Sequence, residues 1–222
     1  MPKCGGTSVR LALEKLLGPD QLRLDYGGIS GVSEVARHQQ LLKYIERPES
    51  LEAGCCVYGH FRPVKYLGDL GPHTDDILVF AILREPIDRL VSHYRYLLAL
   101  NESGNPMRAA LKDHQDDFAW FAMHSRLRNL YARHLYQVPV TRVTHFGVYE
   151  QLDHAWTQIA SLLRPGQRVF PLPKANATEN HTSVMIPRPE ISDLLRSELE
   201  DQHAEDVALY KYVCRHLSLI HI

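Results

Sequence analysis

No apolar run in this chain is long enough to cross a bilayer. The longest, 77–83, is strand-sized, whereas a spanning helix needs roughly 20 residues. The chain also lacks an excess of charge of either sign. Its 25 Lys and Arg against 26 Asp and Glu leave a formal −1, so no overall basic field draws it to nucleic acid or anionic lipid, and any anion site must be local. Cysteine is scarce. Cys4, Cys55, Cys56 and Cys214 include no C-x-x-C pair, and the adjacent Cys55 and Cys56 would face opposite sides of a strand. They read as reduced thiols of a cytoplasmic, bacterial-type protein. Repeats, low-complexity tracts and linkers are missing too, so one domain over 1–216 is expected. Residues 217–222 read as a non-native tail, the in-frame translation of a sequencing adapter, and are set aside. Sequons at Asn101, Asn176 and Asn180 matter only in a secreted chain.

What is present is an ordinary globular composition, 45% hydrophobic and 23% charged, in a length that supports one core. Val9, Leu13, Leu16 and Leu17 share one helix face, and Gly18-Pro19 stops that helix. Leu22, Leu24 and Tyr26 alternate as a short strand. Ser33 is placed to cap a helix that runs to about residue 45, and 55–58 is a brief strand ending at Gly59-His60. The run 77–83 is apolar on both faces, as suits a central parallel strand covered by helices. Pro86 then opens a helix whose stripe is Ile87, Leu90, Val91, Tyr94, Leu97 and Leu98. A helical region is expected over 116–136, a strand over 143–149, a helix over 152–163 and a last helix over 190–216. Strands alternating with helices imply an α/β layered domain with a mostly parallel sheet.

Two segments carry chemistry. In Pro2-Lys3-Cys4-Gly5-Gly6-Thr7-Ser8, two glycines let the backbone turn tightly and approach an anion. The helix start behind them aims N–H groups and its dipole at that anion. Lys3 adds a full charge, and Thr7 and Ser8 add hydroxyls. The lysine precedes the glycines, so this is not the Walker A loop, in which it follows them. The second segment, 84–94, begins where the central strand should end, the place where ligands bind in open α/β sheets. Arg84 and Ser92 are placed to grip a second phosphate. Arg89 reads either as a helper in that grip or as an i, i+4 partner of Glu85.

Together these segments resemble the sulfotransferases that use 3′-phosphoadenosine 5′-phosphosulfate (PAPS). They are most similar to the branch containing the glycan 2-O-sulfotransferases and many bacterial relatives. That family's P-K-x-G-G-T-S loop and its R-x-P-x-x-R-x-x-S-x-Y element are both complete here. The resemblance extends to Gly59-His60, Val148-Tyr149-Glu150, Asn176-Ala177-Thr178, and Asp206 with Leu209 and Tyr210. The chain departs from the pattern in two places. No strand precedes the loop, and Cys4 stands where threonine is commoner.

The resemblance implies a P-loop-like three-layer domain, a central mostly parallel sheet flanked by helices, with its first strand expected upstream of Met1. It implies transfer of the sulfuryl group of PAPS to an acceptor hydroxyl, foremost on a carbohydrate, with no metal and no nucleic-acid partner. Lys3 would stabilise the leaving oxygens. Cys4, Gly5, Gly6, Thr7 and Ser8 would hold the 5′-phosphate, Cys4 mainly through its backbone. Arg84 and Ser92 would hold the 3′-phosphate, and His60 would take the acceptor's proton. An N-terminal anchor upstream would instead put the enzyme in the Golgi lumen, as in animal relatives. His114, His124 and His134 recur every ten residues, which does not gather ligands on one helix face. They read as solvated or core residues. The aromatic and basic stretch 120–136, with Trp120, Phe121, Arg126, Arg128, Tyr131 and Arg133, reads equally as an acceptor cleft or as a helix packing its aromatic side inward. Two rival functions stay open: another nucleotide-binding phosphotransferase, and a non-catalytic nucleotide-binding module.

Overall fold

The computed structural model describes residues 1–26, 34–68, 74–100, 105–173, 175 and 186–219. The Ser33 cap, the three sequons and the Asn176-Ala177-Thr178 loop lie outside them. The fold is mixed α/β with parallel strand pairs. The chain forms two compact units, Met1–Leu83 with Ala132–Pro173, and Arg84–Tyr131 with Lys174–Ile222.

In the first unit, helix α1 (Gly6–Leu17) leads into strand β1 (Leu22–Asp25), and helix α2 (Glu34–Glu46) into strand β2 (Cys56–Gly59). β1 and β2 pair in parallel, Leu22 opposite Cys56 and Asp25 opposite Gly59. Parallel neighbours need a crossover, and α2 lies within it. A short helix, α3 (Val64–Leu67), follows. Strand β3 (Phe80–Leu83) pairs in parallel with β4 (His145–Val148) as a separate two-stranded sheet. The apolar stripe of α1 buries Val9, Ala12, Leu13 and Leu16 against Leu22, Trp156 and Ala160. Trp156 and Ala160 lie on the helix Leu152–Leu163, labelled α8 below. The Trp156 indole donates to the Phe170 carbonyl at 2.8 Å, which settles the one polar atom that this buried ring carries. Gly147 lets that helix approach β4, since a Cβ there would lie 2.5 Å from the Ala155 methyl.

The strand expected over 77–83 covers only its second half. Side chains take two of the backbone groups in 77–79, while the Ile77 N–H donates to the Thr74 carbonyl and the Val79 carbonyl accepts from the His145 N–H. The Val79 N–H donates to Thr144 Oγ1 at 3.0 Å, and Arg142 donates to the Ile77 carbonyl at 2.9 Å. Burial in β3 alternates, with Ala81 and Leu83 buried and Phe80 and Ile82 half-buried.

The second unit opens with helix α4 (Pro86–Ala99). Pro86 sits in its first turn, and the Glu85 carboxylate caps it by accepting from the Asp88 N–H at 2.6 Å. The expected stripe is buried at Ile87, Leu90, Val91, Tyr94 and Leu97. It packs with Leu111 of α5 (Pro106–Asp113), Phe118, Phe121 and Ala122 of α6 (Phe118–Met123), and Leu199.

The helical region expected over 116–136 is broken. Between α6 and α7 (Leu130–His134) lies a single 3₁₀ turn, Ser125–Leu127. Asp117 caps α6 through the Ala119 and Trp120 N–H groups, His124 Nδ1 caps the 3₁₀ turn, and Asn129 has φ 45°. Capping side chains and positive φ end helices. Helix α8 (Leu152–Leu163) has the expected bounds. The last expected helix is two, α9 (Asp193–Gln202) and α10 (Ala204–Leu219), with the chain turning at His203 (φ −111°, ψ 28°). His203 is fully buried and its Nε2 lies 3.1 Å from the Ala122 carbonyl, so the break delivers a core side chain. No helix among the described residues is long and apolar enough to cross a membrane.

Candidate functional site

The glycine loop runs directly into α1. Lys3 (φ 63°) and Gly5 (φ 78°, ψ 18°) both have positive φ, rare for lysine and natural for glycine. Gly5 is required twice over. A Cβ on it would also lie 2.6 Å from a Leu152 methyl and 3.2 Å from the Tyr149 ring. Tyr149 and Leu152 follow β4, so the segment after that strand closes against the glycine loop. Gly6, Thr7 and Ser8 form the first turn of α1, which carries no acidic residue, so no side chain there offsets the positive end of the dipole. The Cys4 side chain is buried, its thiol 3.4 Å from the Pro2 carbonyl.

β2 reaches this loop through Tyr58. Its hydroxyl donates to the Gly6 carbonyl at 2.8 Å. Burial raises the phenol's pKa, which keeps the donor protonated. His60 stands just past the end of β2, where its N–H donates to the Asp25 carbonyl at 3.0 Å and its ring meets Tyr26 edge-on, centroids 5.2 Å apart. It therefore lies beyond the carboxyl ends of two parallel strands. The ground beneath it is firm. The buried Asp25 carboxylate accepts from the Tyr66 hydroxyl at 2.6 Å and from Lys65 at 2.7 Å, and Lys65 also pairs with Glu49 at 3.2 Å.

The imidazole of His60 is exposed, yet its pKa is lowered. Its packed surroundings contribute most. The positive charge of Lys3 pushes the same way, against a hydrogen bond with the Gly59 backbone. The imidazole is thus neutral near pH 7, and the charge of Lys3 contributes to that shift.

Arg84 and Ser92 belong to the second unit. The Arg84 peptide is bracketed by Tyr131, whose hydroxyl accepts from the Arg84 N–H at 3.0 Å and donates to the Arg84 carbonyl at 2.7 Å. Ser92 is half-buried on α4. Arg89 takes neither of its expected roles. It is fully buried over the Tyr131 ring, near the Leu127 carbonyl (3.5 Å) and Asp206 (4.0 Å). Glu85 is turned away from it to cap the helix. In the aromatic stretch, Phe121 and Tyr131 pack inward, while Trp120 is half-buried, stacked on His114 at 3.9 Å and edge-on to His124 at 5.4 Å. Two anchors were not foreseen, Tyr58 and Tyr131. Each binds backbone far away in sequence, and nothing in one sequence marks such a pairing.

Among the described residues, no group of three or more His, Cys, Asp or Glu is placed to hold a metal ion. No family model, curated protein or solved structure matches this chain.

Proposed function

We propose that this chain binds PAPS and transfers its sulfuryl group to an acceptor hydroxyl on a carbohydrate. One observation carries the reading: a glycine turn at a helix N-terminus is bonded through Tyr58 to β2, and His60 stands past the carboxyl ends of that strand and its parallel neighbour. On this reading the parallel pairs belong to a P-loop-like three-layer domain. The glycine turn suits an anion, because Gly5, with φ 78°, leads directly into the N-terminal turn of α1.

PAPS supplies an activated sulfuryl group and leaves as 3′,5′-adenosine bisphosphate. His60 takes the proton of the acceptor hydroxyl as its oxygen bonds to sulfur. Lys3 stabilises the negative charge that gathers on the phosphate oxygen as its bond to sulfur breaks. The first turn of α1 holds the 5′-phosphate, and Arg84 and Ser92 hold the 3′-phosphate. The protein's share is positioning and electrostatics, as in phosphoryl transfer.

Calorimetry decides between ligands. The reading expects 3′,5′-adenosine bisphosphate to bind more tightly than ATP, and a preference for ATP would overturn it in favour of a phosphotransferase. With labelled PAPS and a carbohydrate panel, Lys3→Ala and His60→Ala should each stop transfer while leaving the circular dichroism spectrum unchanged. A wild-type chain that binds the bisphosphate yet transfers to no acceptor would be a binding module.

A further inference from the structure

Arg84 lies in the joint between the end of β3 and the start of α4. Buried backbone donors and acceptors in such a joint need partners. One phenol supplies both. Tyr131 is fully buried, and its hydroxyl bonds the Arg84 N–H at 3.0 Å and the Arg84 carbonyl at 2.7 Å. The phenol is itself held. The Tyr131 N–H donates to Asp206 Oδ1 at 2.8 Å, and the Arg89 guanidinium lies over the ring, 5.5 Å from its centroid. Asp206 and Arg89 are both fully buried, 4.0 Å apart. An assembly of buried charges around one ring costs desolvation, and it is costly to keep merely to fill space. Its outlet is the backbone of Arg84.

We propose that Tyr131 is a positioning residue for the 3′-phosphate grip: it fixes the Arg84 main chain so that the guanidinium is presented in one direction, and Asp206 fixes Tyr131. The inference rests on the reading of Arg84 as that grip. A long side chain carries much rotational freedom, and anchoring its backbone reduces what binding must still order.

The test uses the full chain and calorimetry with two ligands, 3′,5′-adenosine bisphosphate and adenosine 5′-phosphate, which differ only in the 3′-phosphate. Wild type should prefer the bisphosphate, and Arg84→Ala should lose the preference. Tyr131→Phe keeps the ring and removes both hydrogen bonds. It should weaken bisphosphate binding about tenfold and change adenosine 5′-phosphate binding less than about twofold. A residue that only filled the core would weaken both ligands alike. If wild type shows no preference, the reading of Arg84 fails and this inference with it. If Arg84→Ala loses the preference and Tyr131→Phe keeps it, the positioning role alone is overturned. Should Tyr131→Phe fail to fold, Asp206→Asn decides. It keeps an oxygen for the Tyr131 N–H but removes the carboxylate beside Arg89. It should reduce the preference by a smaller factor, and an unchanged preference would count against the proposal.

Discussion

The Tyr58 hydroxyl donates to the Gly6 carbonyl at 2.8 Å, joining strand β2 to the glycine loop across 52 positions of sequence. This bond ties the strand that ends at His60 to the turn that carries Lys3. Tyr58→Phe removes it without changing the packed ring. The expected loss is about 1 kcal/mol of stability, the usual net worth of one such bond. It would be read from the denaturant midpoint at unchanged slope. A midpoint equal to wild type would mean that the loop is held without Tyr58.

Gly59 and Gly166 make a matched pair of tests. A Cβ on Gly59 would lie 1.7 Å from the Asp25 carbonyl oxygen, a contact with backbone that cannot swing aside. Gly166 has φ 79° but open space around it. Gly166→Ala should therefore cost only the conformational penalty, about 1 kcal/mol. Gly59→Ala must separate β1 from β2 and should cost more than about 3 kcal/mol, the range of severe core disruption. Thermal unfolding of the two variants side by side gives the comparison. Equal losses would show that the β1–β2 contact is not tight at Gly59.

The elements that periodicity can report were legible in the sequence. The α1 and α4 stripes fell where expected, because a helix repeats its buried face within one local window and Pro86 marks where α4 begins. The alternation of strands and helices likewise pointed to parallel pairing. Breaks were harder to see. The interruptions at Ser125–Leu127 and at His203 depend on which side chains turn inward to cap a neighbour or to meet a carbonyl such as that of Ala122. Residues 77–79 look like strand by composition, but Thr144 and Arg142, about 65 positions away, take two of their backbone groups. In the candidate site, the loop and His60 could be named from sequence. Tyr58, which binds the loop, and Tyr131, which binds Arg84, could not, since a phenol bonding a distant main chain leaves no local pattern.

Acid should weaken the second unit through His203. Its pKa lies below the ordinary 6.5, first because of burial and then because of the charges of Arg89 and Arg128, against a bond to the Ala122 carbonyl. The sign follows directly. The unfolded chain takes up a proton near the ordinary value, while the folded chain resists until a lower pH. Stability is therefore lost as pH falls from about 6.5 to the folded pKa, at no more than about 1.4 kcal/mol per pH unit for one proton. His203→Gln keeps a donor for Ala122 and has nothing to titrate. Urea midpoints taken above and below pH 6.5 should fall for wild type and fall less for the variant. Parallel lines would remove His203 from the acid response, leaving His60, His124 and His145, which burial also shifts downward.

The coupling of Lys3 to His60 can be measured without substrate. If the lysine charge helps to keep the imidazole neutral, Lys3→Met should raise the His60 pKa by about 0.5, the size of a Coulomb interaction through a largely aqueous path. The His60 ring resonances, assigned through a His60→Gln spectrum, give that value in an NMR titration. The shift should shrink in high salt, because the pair lies near solvent. His203 and His145 serve as internal references and should not move. An unchanged His60 pKa in Lys3→Met would separate the two residues electrostatically. It would also leave burial as the main cause of the lowered His60 pKa.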